Sequence, residues 1–213
     1  SNPQYKELEE IYLMNANLEK DSPDYNTVIE KIKNDHKTYL RISEENRQKF
    51  PEFLEVAKNG YTQELNNRLL EIEAPGLNEG EYLRQFEKFQ DYYRGLPLEI
   101  KSALEDMGPR ILQAHKKAYY NNPIVFPEFP ADIQNKFSQE EQIAAWGNYV
   151  NQDPYHYNDK RIPTEIRQYL SIDSLKEKWD KLLQKNAEHI DYIPSEILSL
   201  WGEGEIENYA LQD

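Results

Sequence analysis

The chain has 213 residues, enough for one domain or two small ones with a real core. It carries 39 Asp and Glu against 25 Lys and Arg, a net charge of −14, and such a balance disfavours duplex nucleic acid and anionic membrane surfaces as partners. Cysteine is absent, which removes disulfides and thiolate metal sites, and a mean hydropathy of −0.94 with no long apolar run predicts no membrane insertion.

The chain opens Ser-Asn-Pro without Met, so it reads as a stretch excised from a longer protein, with Ser1-Asn2 a leftover of cloning. Residues 3–17 place Tyr5, Leu8, Ile11, Tyr12 and Met14 along one broad helical face. Asp21-Ser22-Pro23-Asp24 is a helix start, and Tyr25, Val28, Ile29, Ile32, His36 and Tyr39 follow at helical period. Ser43 caps a short helix and Pro51 starts another, which Gly60 is expected to close at the left-handed position. A further helix covers about 62–73, with Leu65, Leu69 and Ile72 inward, and Ala74-Pro75-Gly76 is a break. The next, about 79–94, carries Tyr82, Phe86, Phe89 and Tyr93, and Gly95 ends it.

From there a phrase recurs: Leu96-Pro97-Leu98-Glu99-Ile100, Phe129-Pro130-Ala131-Asp132-Ile133, Ile162-Pro163-Thr164-Glu165-Ile166 and Ile193-Pro194-Ser195-Glu196-Ile197. The prolines step by 33, 33 and 31 residues, and Trp146 and Trp179 each follow their proline by 16. Proline suits the first turn of a helix, the acid two residues on favours the positive helix end, and the Ile begins a buried face. Each phrase therefore opens a short helix. A longer one follows, begun at the capping box Ser138-Gln139-Glu140-Glu141 in one unit and at Ser171 in the next. Its stripe is Ile143, Trp146, Tyr149 and Val150, then Leu175, Trp179, Leu182 and Leu183, and the pairs end near Asp153-Pro154 and Asn186. A helix pair cannot cover its own stripe, and stacking on neighbours does so.

The pattern resembles the helix-pair repeats of unknown function found in effector proteins of intracellular bacteria, across residues 96–201 and loosely at Ile42-Ser43-Glu44-Glu45. That resemblance implies an interaction scaffold within a larger protein. The expected fold is all-α, a right-handed helical-repeat (helix-pair solenoid) domain with an off-period helical N-terminal half. Its parts are residues 1–95, a cap or degenerate repeat, then the repeats at 96–201 and an acidic segment at 202–213. A cytoplasmic location, or the host cytosol for an effector, is the simplest expectation.

Chemistry is hard to find. Gly202-Glu203-Gly204 lacks the third glycine of a phosphate loop, no His-Glu-x-x-His pair exists, and Thr164 stands where a calcium loop starting at Asp153 needs its bidentate acid. His36, His115, His156 and His189 have no ligand spacing, and no Ser sits in a nucleophile elbow. No cofactor or metal is expected, and the alternative to a binding module is an α-helical enzyme domain or regulatory arm that no motif reveals.

Aromatic residues are what remains: 16 Tyr, 7 Phe and 3 Trp. Trp146, Trp179, Phe86 and Phe89 are expected in the core. Tyr119, Tyr120, Tyr155, His156 and Tyr157 fall in connectors, where the chain should run over the surface. Lys116, Lys117, Lys160 and Arg161 flank them, and residues 107–187 are the one region that is not acidic, with 10 acids and 11 bases. Residues 188–213 hold 7 acids and no base. These connector residues are expected to form an edge that binds another protein, one with an acidic rim; the other reading of the rings is that they plug gaps between helices.

Overall fold

Helix accounts for 75 % of the chain, and among the described residues no strand forms, so the all-α class holds. The structure is a computed structural model that describes residues 2–210. Its contacts divide the chain into two units. One takes in residues up to Glu71 with Gln85–Pro109, and the other Ile72–Arg84 with residues from Arg110 onward. This division does not coincide with the boundary expected after residue 95.

The first unit contains the helices Pro3–Asn15, Pro23–Asn34, Glu44–Lys49 and Leu98–Ala103, with most of Pro51–Ile72 and of Glu79–Gly95. Ser22 caps Pro23–Asn34, its hydroxyl accepting from the Tyr25 amide, with Pro23 in the first turn. That helix stops sooner than the apolar period implied. Asp35 turns extended and its side chain accepts from the Lys37 amide, so His36–Arg41 forms a 3-10 helix. Asn46 is buried because its amide donates to the carbonyls of Met14 and Ala16 at 3.2 and 2.7 Å.

The first helix departs from expectation. Only Met14 of its apolar face is buried, while Tyr5, Leu8, Ile11 and Tyr12 are exposed. It is held instead by Glu10, which pairs with Lys31 at 3.5 Å and Arg41 at 3.1 Å. Gly60 does not end a helix either, since Pro51–Ile72 runs through it. A Cβ there would lie 2.4 Å from the His36 Cβ, so the glycine admits that side chain. His36 then packs edge-on against Tyr61 and meets Glu64 through Nε2 at 2.7 Å.

In the second unit the phrases behave alike. Pro130, Pro163 and Pro194 sit at the N-cap, not in the first turn, with φ between −53 and −59° and ψ between 135 and 145°. Their carbonyls accept the first helical bonds of Ala131–Gln134, Thr164–Arg167 and Ser195–Leu198. The residue before each cap (Phe129, Ile162, Ile193) and the Ile three after it (Ile133, Ile166, Ile197) are buried. Each such side chain contributes roughly 1.5–3 kcal/mol. Pro97 and Ser43 of the first unit share this backbone, with Leu96 and Ile100, and Ile42 and Asn46, at the two inward positions.

The long helices Gly108–Asn121, Gln139–Gln152 and Asp173–Lys185 precede these turns. Gln139–Gln152 packs on the 3-10 helix Pro123–Glu128 before it and on Asp173–Lys185 after it; Asp173–Lys185 packs in turn on the 3-10 helices Pro154–Asn158 and Ala187–Tyr192. The capping box at Ser138 and Glu141 is present. Ser171 makes no equivalent cap, because Ile172 precedes Asp173–Lys185 with helical φ and ψ. Trp146 and Trp179 are both buried. The acidic segment after residue 201 folds back on this unit: Trp201 Nε1 and the Tyr209 hydroxyl donate to Asp180 at 2.8 and 2.7 Å, and Glu205 pairs with Lys176.

Candidate binding edge

The turn that joins a long helix to its short successor has one geometry in four places. An Asp or Asn (Asp35, Asn122, Asp153, Asn186) adopts φ between −146 and −156° and starts a 3-10 helix. In three of them its side chain accepts from the backbone amide two residues on; Asn122 donates instead to the Leu77 carbonyl. Counted from this residue, the inward positions coincide. Seven before it stand Val28, His115, Trp146 and Trp179; three before it stand Ile32, Tyr119, Val150 and Leu183. All eight are buried.

This register decides the fate of the expected site residues. Tyr119 is 2 % exposed, packed with Phe126, Phe129 and Phe137 at ring distances of 5.0–6.4 Å. Tyr157 is 4 % exposed, four residues after Asp153 as Tyr39 follows Asp35. Neither ring lies on the surface, because both occupy packing positions of the turn. Tyr120 is exposed. His156 lies flat on Tyr149, ring centres 4.0 Å apart, and its Nδ1–H donates to the Tyr149 carbonyl.

Most of the flanking bases are engaged. Lys116 pairs with Glu141 at 3.0 Å and Lys117 with the buried Glu73 at 3.5 Å. Arg161 holds Asp159 at 2.8 Å and Glu79 at 3.2 Å. That guanidinium, helped by the Tyr149 hydroxyl against the effect of burial, keeps the Asp159 carboxyl well below the usual carboxylate range. Burial and this same carboxylate push the Tyr149 hydroxyl up to about 12. Lys160 alone of the four has no ion pair among the described residues.

Tyr155 is the expected residue that opens onto a surface cluster. Its ring leans on Trp179 at 4.9 Å, its hydroxyl meets His189 Nδ1, and the Tyr192 ring lies 5.8 Å away. Burial pushes the Tyr155 hydroxyl up. Tyr192 is 61 % exposed, and Leu198, at the end of the next short helix, is exposed as well. Tyr192, His189 and Leu198 are not among the expected residues; their signal in the sequence is the Asn186-Ala187 turn, in register with Asp153-Pro154.

A second recurring position lies four residues after each cap. Arg167 places its guanidinium 4.8 Å over the Tyr157 ring and donates to the carbonyls of Tyr157 and Asp159 at 2.5 and 2.8 Å. Gln134 donates to the carbonyls of Phe126, Pro127 and Phe129. Arg47 lies 5.7 Å over Tyr39. The side chain there clasps the turn. At the last turn this position is Leu198, which cannot donate. Among the described residues, the one side-chain donor to that turn's outer carbonyls is Asn158, on Tyr192.

Among the described residues no group of three or more His, Asp or Glu is arranged to hold a metal ion, and no helix is long and apolar enough to cross a membrane. An open groove of 320 Å³ between the last two turns is lined by Tyr157, Asn158, Arg167, Pro194, Ser195 and Glu196. What the cluster offers chemically is contact area on one ring braced by packing, Tyr155, and one largely exposed ring near it, Tyr192, with carbonyls and carboxylates at its border. No protein-family model matches the chain, and comparison with curated proteins and with solved structures gave no match.

Proposed function

We propose that this chain is a protein-binding module, a right-handed helix-pair solenoid whose turns present variable side chains on a repeated frame. Its binding edge is the last turn, with His189, Tyr192 and Leu198, joined by Tyr155 of the turn before. The observation that carries this reading is the Tyr155–Tyr192 pair: one ring braced on buried Trp179, the other largely exposed beside it. Tyrosine gives large contact area with little rotamer entropy to lose, and a ring already held in place loses less still. The shared turn geometry supports the solenoid, since equivalent inward positions are what stacked pairs require.

The experiment is a random-peptide display selection on the full chain, subtracted against the Tyr192→Ala variant. Tyr192→Ala should melt within about 0.5 kcal/mol of wild type, as exposed substitutions do. Peptides that bind wild type and lose about tenfold or more on the variant are the expected result. A selection that returns no Tyr192-dependent peptide overturns the reading.

A further inference from the structure

The four turns are alike inside and unlike outside, and the last one lacks a part that the others carry. At the cap-plus-four position Arg47 and Arg167 each lay a guanidinium over a Tyr ring of the turn, and Gln134 donates to three turn carbonyls. Leu198 does neither. The carbonyls of Ile190 and Asp191 therefore have no side-chain donor among the described residues, and Tyr192 stands open beside them. Glu207–Ala210 packs on this turn, yet leaves Tyr192 61 % and Leu198 39 % exposed.

Charge at the same place points one way. Glu188, Asp191 and Glu196 are exposed and in no ion pair among the described residues. The turn and the short helix after it contain no Lys or Arg, and the whole chain carries −14. By contrast, Asp159 on the preceding turn is taken by Arg161.

We propose that the last turn is completed in trans by an arginine of a basic protein segment. Its guanidinium donates to the carbonyls of Ile190 and Asp191 and lies on the Tyr192 ring, two residues on from Ile190, which holds the place that Tyr157 has beneath Arg167. Glu188, Asp191 and Glu196 take the neighbouring bases. Arginine suits the site better than lysine because its planar fork donates to two acceptors while its face stacks on a ring. The chain's negative field would speed the encounter and make it salt-dependent. This rests on the protein-binding reading above and names the chemistry of the partner.

The test is a calorimetric titration of the full chain with three capped nonapeptides that carry three Arg, three Lys or three Glu on the same Gly–Ser backbone. The Arg peptide should bind, the Lys peptide several-fold more weakly, and the Glu peptide not measurably. Tyr192→Ala and the Glu188→Gln, Asp191→Asn pair should each weaken the Arg peptide about tenfold. Leu198→Arg supplies the clasp in cis and should abolish binding while the protein still melts cooperatively. Arg-peptide binding that survives both Leu198→Arg and Tyr192→Ala would overturn the proposal, as would no binding or a Glu peptide that binds equally. Should the display selection yield Tyr192-dependent peptides without bases, the protein-binding reading stands and this one falls.

Discussion

The turns at 153–167 and 186–198 begin and end on the same backbone geometry and share a core, the first being two residues longer, and they differ in what holds their outer side. Asp153 and Asn186 have nearly the same φ and ψ, and Trp146 and Trp179 lie buried seven residues before them. In the first turn Arg167, Arg161 and Asp159 lock the outer carbonyls and charges together. In the second, Leu198, Asp191 and Glu188 lock nothing. Inward positions recur because each must cover the apolar stripe of the helix before it. Outward positions carry no such constraint, so they differ from one turn to the next.

The strongest test of the shared core is to truncate its largest members. Trp179→Ala and Trp146→Ala should each cost about 3–5 kcal/mol in urea unfolding. If either variant melted like wild type, the two turns would not be equivalent. The clasp comes next. Arg167→Ala removes hydrogen bonds from a charged donor and should cost about 1.5–3 kcal/mol. Leu198→Ala, with nothing to release, should stay within about 0.5–1 kcal/mol. Equal costs at the two positions would break the comparison.

The first unit offers a control on the same kind of turn. Gly60→Ala should cost about 1–3 kcal/mol by overpacking, since His36 lies where the methyl would go. Denaturation of that variant beside wild type measures it.

A smaller effect concerns His115, which holds the place of Trp146 and Trp179. Burial lowers its pKa, against the pull of the Ile111 carbonyl and of Asp132, and it packs on Tyr82 and Phe129. Neutral in the fold, it gains a proton in the unfolded chain below about pH 6.5. Its contribution is therefore full above that pH and is lost as pH falls from there toward the depressed native value. Asp159, whose pKa is lowered, adds its own loss only below about pH 4. Urea midpoints between pH 7.5 and 5 should fall for wild type and stay flatter for His115→Phe.

Much of this was legible. The apolar-Pro phrases, the burial of Trp146 and Trp179, and the capping box at Ser138 follow from period and cap chemistry. The proline register was nevertheless the wrong ruler for the connectors. Counted from proline, Gln113 would stand where Trp146 and Trp179 stand, because the loop after Pro97 is longer; counted back from Asn122, the residue is His115. The same count puts Tyr119 and Tyr157 inside. The Gly60 close approach and the outward face of the first helix were not legible, since they depend on which residue of another helix arrives opposite. Ion pairs such as Lys117 with Glu73 lie 44 positions apart and leave no local mark.

The central claim is that the last turn lacks a clasp which its frame is built to accept. The most direct measurement is the thermal melting of Leu198→Arg against wild type at low and high salt. A guanidinium entering the Arg167-like place should stabilise by about 0.5–1.5 kcal/mol, and most of the gain should persist in salt because its bonds go to carbonyls. An unchanged or lowered melting temperature at low salt would contradict the claim, since the arginine would then find no carbonyls on the turn to hold.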